Sequence, residues 1–520
     1  MLRKPLAVAL ALTALLTTQP AQAAVATTKI PAQFVAKLYS EALGRMPEAA
    51  GWANAMAAFS GNQCTTARLG TMARGFYTST EFSSRPYGNA AKVLTLYRGM
   101  LNRDPDQSGF DDYVRRLDAG TLSWPQLVDA FTASGEFAAL SDRICGPDTS
   151  YYFGTAPAPT LPVIGTGFTG GTGAELQALL DQAPAGATIY LAQQAVVRVG
   201  AMITVPAGKT LATTGAPAPT AYALQGRLVR TNSFSDAMIR LQPGARLRNV
   251  WVDGQRGDYT NYVLGAMNIQ LFGGTGTEVS GSKIENSRGW TNLQLLGSYE
   301  GAPCGGATVS GNLVTAYSSD HYPHGGVGRY TDGLSVACER STIENNAIID
   351  PTDVGIVLFR SSPATQQSTV RGNQVLSAGN SAYGAIAVDG LYDQKVTHDF
   401  TGSSIVGNAF WTGPDTHVDF GLAIGTRAWF GPRSDPGTGV VVRNNTTNGL
   451  TAVAGIGIAV TGMHKAVVQG NDLRLDIRSL NACPKGNLLV DADGYAEGGD
   501  YQPGATPASF TFGSGGCIGH

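Results

Sequence analysis

The segment YSSDHYPHGGVGRYTDG (317–333) concentrates reactive side chains. It holds His321 and His324, two of only six histidines, with Asp320, Arg329 and Asp332. Tyr317, Tyr322 and Tyr330 add flat aromatic surfaces of the kind that stack on sugar rings. Asp353 and Asp419 stand at the starts of two later apolar runs, and Arg360 and Asp389 follow the ends of two. Hydrolysis of a glycosidic bond needs two carboxyl groups flanking that bond. Asp332 with Asp353 suits this role. Elimination at a uronic acid needs a base for the C5 proton and a cation against the carboxylate. His321 or His324 with Arg329 or Arg360 suits that one, with calcium as an optional electrophile. The catalytic candidates are therefore Asp332, Asp353, His321 and His324. The substrate-contact candidates are Arg329, Arg360, Tyr322, Tyr330 and Asp389. The plainer alternative is that Asp before Gly marks a turn and that the His/Gly/Tyr-rich stretch is a packed surface loop. No C-x-x-C pair suggests a metal site.

Two sets of repeats must position these groups. The first reads KIENS (283–287), TVSGN (308–312), TIENN (342–346), TVRGN (369–373), SIVGN (404–408), VVRNN (441–445) and VVQGN (467–471). The last positions, from Ser287 to Asn471, lie 25, 34, 27, 35, 37 and 26 residues apart. A short unit returning at such intervals signals a solenoid. The β-branched residue favours a strand, and the Gly or Asn after it favours a tight bend. The stacked Asn is read as scaffold, hydrogen-bonding along the solenoid axis.

A second ladder supports that register: NLQL (292–295), DGLSV (332–336), DVGIVL (353–358), GAIAV (384–388), DFGLAI (419–424) and GIGIAV (455–460). A period of two points Leu293, Leu334, Ile356, Ile386, Leu422 and Ile458 inward. It points Gln294, Ser335, Val357, Ala387, Ala423 and Ala459 outward. These outward residues are mostly small, so the sheet is expected to form a shallow open floor.

The chain has 520 residues, too many for one ordinary compact core. A solenoid avoids that limit by growing along one axis. Charged residues are 14% of the chain and glycines number 67, a balance that suits stacked strands and turns. The net charge of −2 gives no pointer to nucleic acid. Residues 1–23 read as a secretory signal, with Arg3 and Lys4, an apolar run Leu6–Leu16, and Ala21-Gln22-Ala23 before cleavage. The alternative is an uncleaved anchor. The mature protein is expected to be exported, soluble and without a further membrane span, in the medium, at the cell surface or in a periplasm. In that setting the six cysteines are expected as disulfides. Their order suggests Cys64–Cys145, Cys304–Cys338 and Cys483–Cys517 among the 15 possible pairings.

Residues 24–146 carry a different repeat. KLYSEALGRMPEAAGWANAM (37–56) matches TLYRGMLNRDPDQSGFDDYV (95–114) at an offset of 58. FYTSTEF (76–82) matches FTASGEF (131–137) at an offset of 55. Trp52, Ala55, Met56 and Phe59 follow helical spacing, as do Phe110, Tyr113, Val114 and Leu117. Ser108 with Asp111 is expected as a capping box and Gly120 as a helix stop. The doubled LY-x3-L-x-R-x-P pattern resembles a bacterial extracellular domain family of undefined function related to phycobilisome linker domains. The resemblance implies attachment or interaction. Arg45 and Arg103 could serve as ligand contacts, but are expected to pack on their loops or cap a helix. Residues 147–173, rich in Pro, Gly and Thr, read as a linker.

Residues 174–520 open with a helix signal in which Leu176, Leu179, Leu180 and Ala183 share a face. This opening and the Asn-marked coils resemble the right-handed parallel β-helix of the pectate-lyase-like superfamily, and the resemblance implies that fold. Neither TDG (331–333), similar to part of the polygalacturonase pattern, nor DHYPH (320–324), loosely similar to the core of mannuronan epimerases, completes its family's signature. The expected fold class is multidomain: a small all-α module followed by an all-β right-handed parallel β-helix. The expected function is an exported protein that binds, and as an enzyme cleaves or modifies, an extracellular polysaccharide. The alternative is a non-catalytic surface, matrix or adhesin-like binding rod.

Overall fold

A computed structural model describes residues 29–61, 63–146, 154, 157–257, 259–296, 304–316, 329–359, 366–389, 398–425, 437–480, 485–490 and 496–497. Its N-terminal part is helical: α1 (Lys29–Ala42), α2 (Ala49–Phe59), α3 (Thr66–Tyr77), α4 (Thr80–Ser83), α5 (Asn89–Leu101), α6 (Gln107–Asp118), α7 (Trp124–Thr132) and α8 (Gly135–Cys145). Ser, Thr and Asp caps set most of the starts, and Ser123 with Gln126 closes a capping box on α7. The cap of α6 is Asp106 rather than Ser108: its carboxylate accepts the Gly109 N–H, and Ser108 donates to it. Gly120 ends that helix in the left-handed region, φ 67°. The repeat is visible in matching ion pairs. Arg45 bonds Glu81 and lies over Tyr39, and Arg103 bonds Glu136 and lies over Tyr97. Cys64–Cys145 ties the turn between α2 and α3 to the end of α8.

The rest is a right-handed parallel β-helix whose successive coils pair in parallel. Helix α9 (Gly173–Gln182) covers its first coil with Leu176 and Leu180, while Leu179 stays 42% exposed instead of joining them. Two ladders of short strands and one ladder of longer strands enclose a single apolar core. The bend between the short ladders carries the Asn stack. From Asn312 through Asn346, Asn373, Asn408 and Asn445 to Asn471, each amide nitrogen donates to the next amide oxygen at 2.8–3.0 Å. Each backbone N–H donates to that same oxygen. The residue before each Asn, Gly311, Asn345, Gly372, Gly407, Asn444 or Gly470, has a positive φ, which is why only Gly or Asn stands there. At the first repeat the register differs from the sequence reading. Glu278–Ser280 pairs with Thr308–Ser310, and Ser282, not Ser287, caps the stack by donating its N–H to Asn312.

The helical region lies flat on the outer face of the second short ladder. The middle residues of those strands (Val252, Ile284, Val314, Ile348) enter the core, so the first and third positions face the helices. Trp251, Leu313, Ile349, Leu376 and Trp411 share one apolar cluster with Phe34, Leu38, Leu94 and Trp52. Within it sits a charge network with no solvent exposure. Arg98 bonds Glu41 (3.0 Å), Asp104 (2.8 Å) and Glu285 (2.6 Å). Lys283 bonds Glu41 (2.9 Å) and Glu285 (3.2 Å), and Arg227 bonds Asp104 and Asp253 (both 2.6 Å). Tyr222 donates to Glu41, and Trp251 Nε1 donates to Glu285 at 2.7 Å. Burial alone would raise the Glu41 carboxyl, but Arg98, Lys283 and Lys37 hold it well below the usual range. Lys37, Arg98, Arg227 and Lys283 thus face Glu41, Asp104, Asp253 and Glu285, four charges of each sign. The segment 157–162 is held too. Gln107 exchanges two hydrogen bonds with Thr160, and Gln194 donates to the Pro162 carbonyl at 2.6 Å.

Candidate functional site

The long ladder presents its outer face away from the helices. Its strands include Met267–Phe272, Thr291–Leu296, Asp332–Ala337, Val354–Phe359, Ala382–Asp389, Val418–Ile424 and Ala452–Val460. A column of glycines, Gly333, Gly355, Gly421 and Gly457, interrupted by Ala385, runs through it. A Cβ on Gly355 would lie 2.5 Å from the Ala385 carbonyl, and one on Gly421 2.5 Å from the Gly457 carbonyl. This close approach bends the strands, so two columns three residues apart both face outward. One holds Val354, Phe420 and Ile456, and the other Val357, Ala387, Ala423 and Ala459. The second was expected as an open floor. Val357 is only 2% exposed and Ala459 0%, so this face is closed along that column and forms its own apolar cluster with Tyr330 and Phe359 packed on it.

The chemistry gathers where the strands begin. Asp332 is in register with Val354, and Asp353, Tyr383 and Asp419 stand one residue before that register on three consecutive coils. Neighbouring strands are about 4.8 Å apart, so Asp353 and Asp419 are separated by roughly 9.6 Å of backbone with Tyr383 between them. Asp332 is 4% exposed; its oxygens accept the Ser335 hydroxyl (2.7 Å) and the Val354 N–H (3.0 Å). Asp353 lies half-buried at the rim, and desolvation pushes its carboxyl up to about 7. Desolvation likewise pushes Asp419 up to about 7. Its Oδ1 is sealed from solvent without a hydrogen bond, 3.7 Å from His417 Nε2. The other ring nitrogen of His417 meets the Ser381 hydroxyl at 3.1 Å.

Aromatic and basic groups border these acids. Tyr330 and Tyr383 meet edge to face at 5.1 Å between ring centres. Burial first, then the Tyr330 hydrogen bond, raises the Tyr383 phenol above its usual range. Tyr262 lies under the guanidinium groups of Arg256 (5.4 Å) and Arg329 (5.8 Å). Arg256 in turn donates to Thr331 Oγ1 and to the Arg329 carbonyl, both at 2.9 Å.

Of the sequence candidates, Asp332, Asp353, Tyr330 and Arg329 come together here. Asp389 ends its strand in register with Phe359, six residues and about 20 Å along the sheet from Tyr383. His321, Tyr322, His324 and Arg360 lie outside the described residues, as do residues 1–28 and the Cys483–Cys517 pair. Cys304–Cys338 is formed. Sequence reasoning did not single out Tyr262, Tyr383 or His417. Only the coil register places Tyr383 between two aspartates, whereas the repeated D-x-G start of DVG (353–355) and DFG (419–421) was a visible signal for Asp419. Among the described residues, the one group with metal-ligand spacing is Cys304, Cys338 and Glu339, and its two sulfurs are spent in the disulfide. No helix among the described residues is long and apolar enough to cross a membrane.

Residues 73–141 match a family described as "Domain of unknown function (DUF4214)". No curated protein matches the chain. Solved structures align with the chain at low identity. The mannuronan C-5 epimerase AlgE6 A-module of Azotobacter vinelandii aligns with a TM-score of 0.42 at 14% identity, over 63% of this chain and 77% of its own. An endo-xylogalacturonan hydrolase from Aspergillus tubingensis aligns at 0.39 and 14%, over 66% and 96%. The tailspike of Escherichia coli bacteriophage HK620, in complex with a pentasaccharide, aligns at 0.36 and 13%, over 65% and 60%.

Proposed function

We propose that this protein binds an extracellular polysaccharide across the strand starts of the long ladder and cleaves it by acid–base chemistry. The observation that carries the reading is the pairing of unlike carboxyl environments on one face. Desolvation pushes Asp353 up to about 7, so it is protonated in about half of the molecules at neutral pH. Asp332, one coil away, accepts hydrogen bonds from the Ser335 hydroxyl and the Val354 N–H. Two carboxyl groups in unlike environments divide the roles of acid and base. Asp353 is assigned as the general acid that protonates the departing glycosidic oxygen, and Asp332 as its basic partner. Asp419 serves as a second protonated group beyond Tyr383. Tyr330 and Tyr262 supply half-exposed rings for the sugar to stack on.

The cysteine bridges suit an oxidising compartment, which supports export. The helical region, expected as an attachment module, keeps that role only through surfaces not spent on the β-helix. The rival reading is a non-catalytic binding rod, favoured by the fact that Asp332 and Asp419 are each only 4% exposed. Incubation with a panel of neutral and acidic polysaccharides tests the proposal. New reducing ends indicate hydrolysis, and ultraviolet-absorbing unsaturated ends indicate elimination. Binding without turnover on every polymer leaves the rod.

A further inference from the structure

Arg288 stands one coil before Asp332 and two before Asp353. Arg288-Gly289-Trp290 leads into the strand Thr291–Leu296, and Asp332 is the parallel neighbour of Thr291. The Asp332 N–H donates to the Trp290 carbonyl at 2.8 Å, which fixes this approach to the acids. The backbone here is pinned from the other side as well. The Val263 N–H donates to the Arg288 carbonyl at 2.7 Å. A Cβ on Gly289 would lie 1.7 Å from the Ala266 carbonyl, so no side chain fits there.

The Arg288 guanidinium is half-buried, yet among the described residues it has no ion pair with a carboxylate. Nε donates to the Gly254 carbonyl (3.1 Å) and Nη1 to the exposed Ser233 hydroxyl (3.0 Å). Nη2 has no hydrogen-bond partner among the described residues and is not sealed from solvent. Behind it stands a second guanidinium, Arg230, held only by the carbonyls of Phe234, Asp236 and Met267 at 2.8–3.0 Å. Burial and then the Arg288 charge push Arg230 down to about 10. Asp253 acts on Arg288 and Asp236 on Arg230 only at a distance, since their ion pairs go to Arg227 (2.6 Å) and Arg240 (2.9 Å). The contrast with the helix interface is direct: there Arg98 and Arg227 each pair with at least two carboxylates, and here two neighbouring arginines pair with none among the described residues.

We propose that Arg288, backed by Arg230, is a subsite for an anionic group of the glycan, a carboxylate or a sulfate ester, carried on a unit about two coil spacings from the bond that faces Asp353. Resting on the reading of this face as a polysaccharide site, it narrows the substrate class to acidic polymers. A guanidinium with an open N–H edge matches either oxyanion. The ligand's charge supplies a direct counter-charge where Asp253 and Asp236 act only at a distance. Tyr262 and the 80% exposed Leu264 border the approach with apolar surface.

The test compares binding of a carboxylated polysaccharide (polygalacturonate or alginate), the same polymer after reduction of its carboxyl groups, and a sulfated galactan. Wild-type protein is expected to bind at least one acidic polymer about tenfold or more tightly than the reduced one. Arg288→Gln is expected to erase that preference while leaving affinity for the reduced polymer unchanged, with Arg288→Lys intermediate. Which acidic polymer is preferred separates carboxylate from sulfate. Equal binding of native and reduced polymer by the wild type, or an Arg288→Gln protein that keeps the preference, overturns the anion subsite and leaves the polysaccharide reading standing. Binding to none of the polymers overturns both. The wild-type comparison requires no variant, so a misfolded Arg288→Gln does not block it.

Discussion

Replacing Arg98 by alanine should uncouple the helices from the β-helix. Arg98 is 0% exposed and joins Glu41 and Asp104 of the helical region to Glu285 of the second short ladder. Its removal leaves a buried cluster of three cations and four anions where each sign had four. Breaking a buried ion pair from one side costs about 3–5 kcal/mol, because the partner charge stays buried and uncompensated. The lost guanidinium also sits 4.7 Å from the Trp251 ring centre. Denaturant unfolding followed by tryptophan fluorescence and by far-ultraviolet circular dichroism reads the effect. Wild-type protein should lose helix and tertiary signal in one coincident transition. Arg98→Ala should lower the midpoint by the equivalent of about 3–5 kcal/mol and split off an early helical phase. Arg98→Met with Glu285→Gln, which removes one charge of each sign, should cost less than Arg98→Ala alone. A wild-type protein whose helices melt separately, or an Arg98→Ala shift under about 1 kcal/mol, would refute the coupling.

Three further outcomes follow from the same geometry. Asn373→Ala, in the middle of the stack, leaves the Asn346 N–H and amide nitrogen without their acceptor and should cost about 2–4 kcal/mol in urea unfolding, whereas Ser282→Ala at the stack's end should cost under about 1. Replacing Cys304 and Cys338 by serine opens a loop spanned by 34 residues and should cost about 3–4 kcal/mol, read as a lower urea midpoint. Stability should also depend on pH at both ends. Asp353 and Asp419 have folded pKa values of about 7, above the usual 3.8, so their contribution is fully present below about pH 4 and is lost as pH rises through 7. Asp104, held below its usual value because Arg227 and Arg98 outweigh burial, contributes above about pH 4 and is lost on acidification. Urea midpoints measured from pH 3 to 9 should therefore be highest near pH 4 and fall between about 4 and 7, and Asp353→Asn should flatten that fall.

The coil was legible because stacking repeats its demands. A bend needs the same left-handed residue and the same Asn on each turn, so Gly372-Asn373 and Gly407-Asn408 look alike in sequence. The reading slipped where the pattern was degenerate. KIENS mimics the motif, but the bend at that coil uses Gly281-Ser282. The closed outer face was missed because period-two counting does not foresee a glycine column that turns Val354 and Val357 to the same side. The docking of the helices was missed for the opposite reason: its residues break their repeat. Arg98 and Asp104 stand where the first copy has Ser40 and Met46, and Glu41 where the second has Gly99. In the site, Asp332 and Asp353 were visible as acids opening strands. Tyr383, Asp419 and His417 come together only through coil spacing, which loops of unequal length conceal.

The most direct test is turnover of an acidic polysaccharide by wild-type protein and by Asp353→Asn across pH 5–9, with Glu344→Gln, a surface partner of Arg371, as the control. Asp353 as general acid predicts a wild-type rate that falls above about pH 7, a loss of about a hundredfold or more in Asp353→Asn with binding retained, and an unchanged control. Full activity in a folded Asp353→Asn, or a wild-type rate that keeps rising through pH 9, would contradict it.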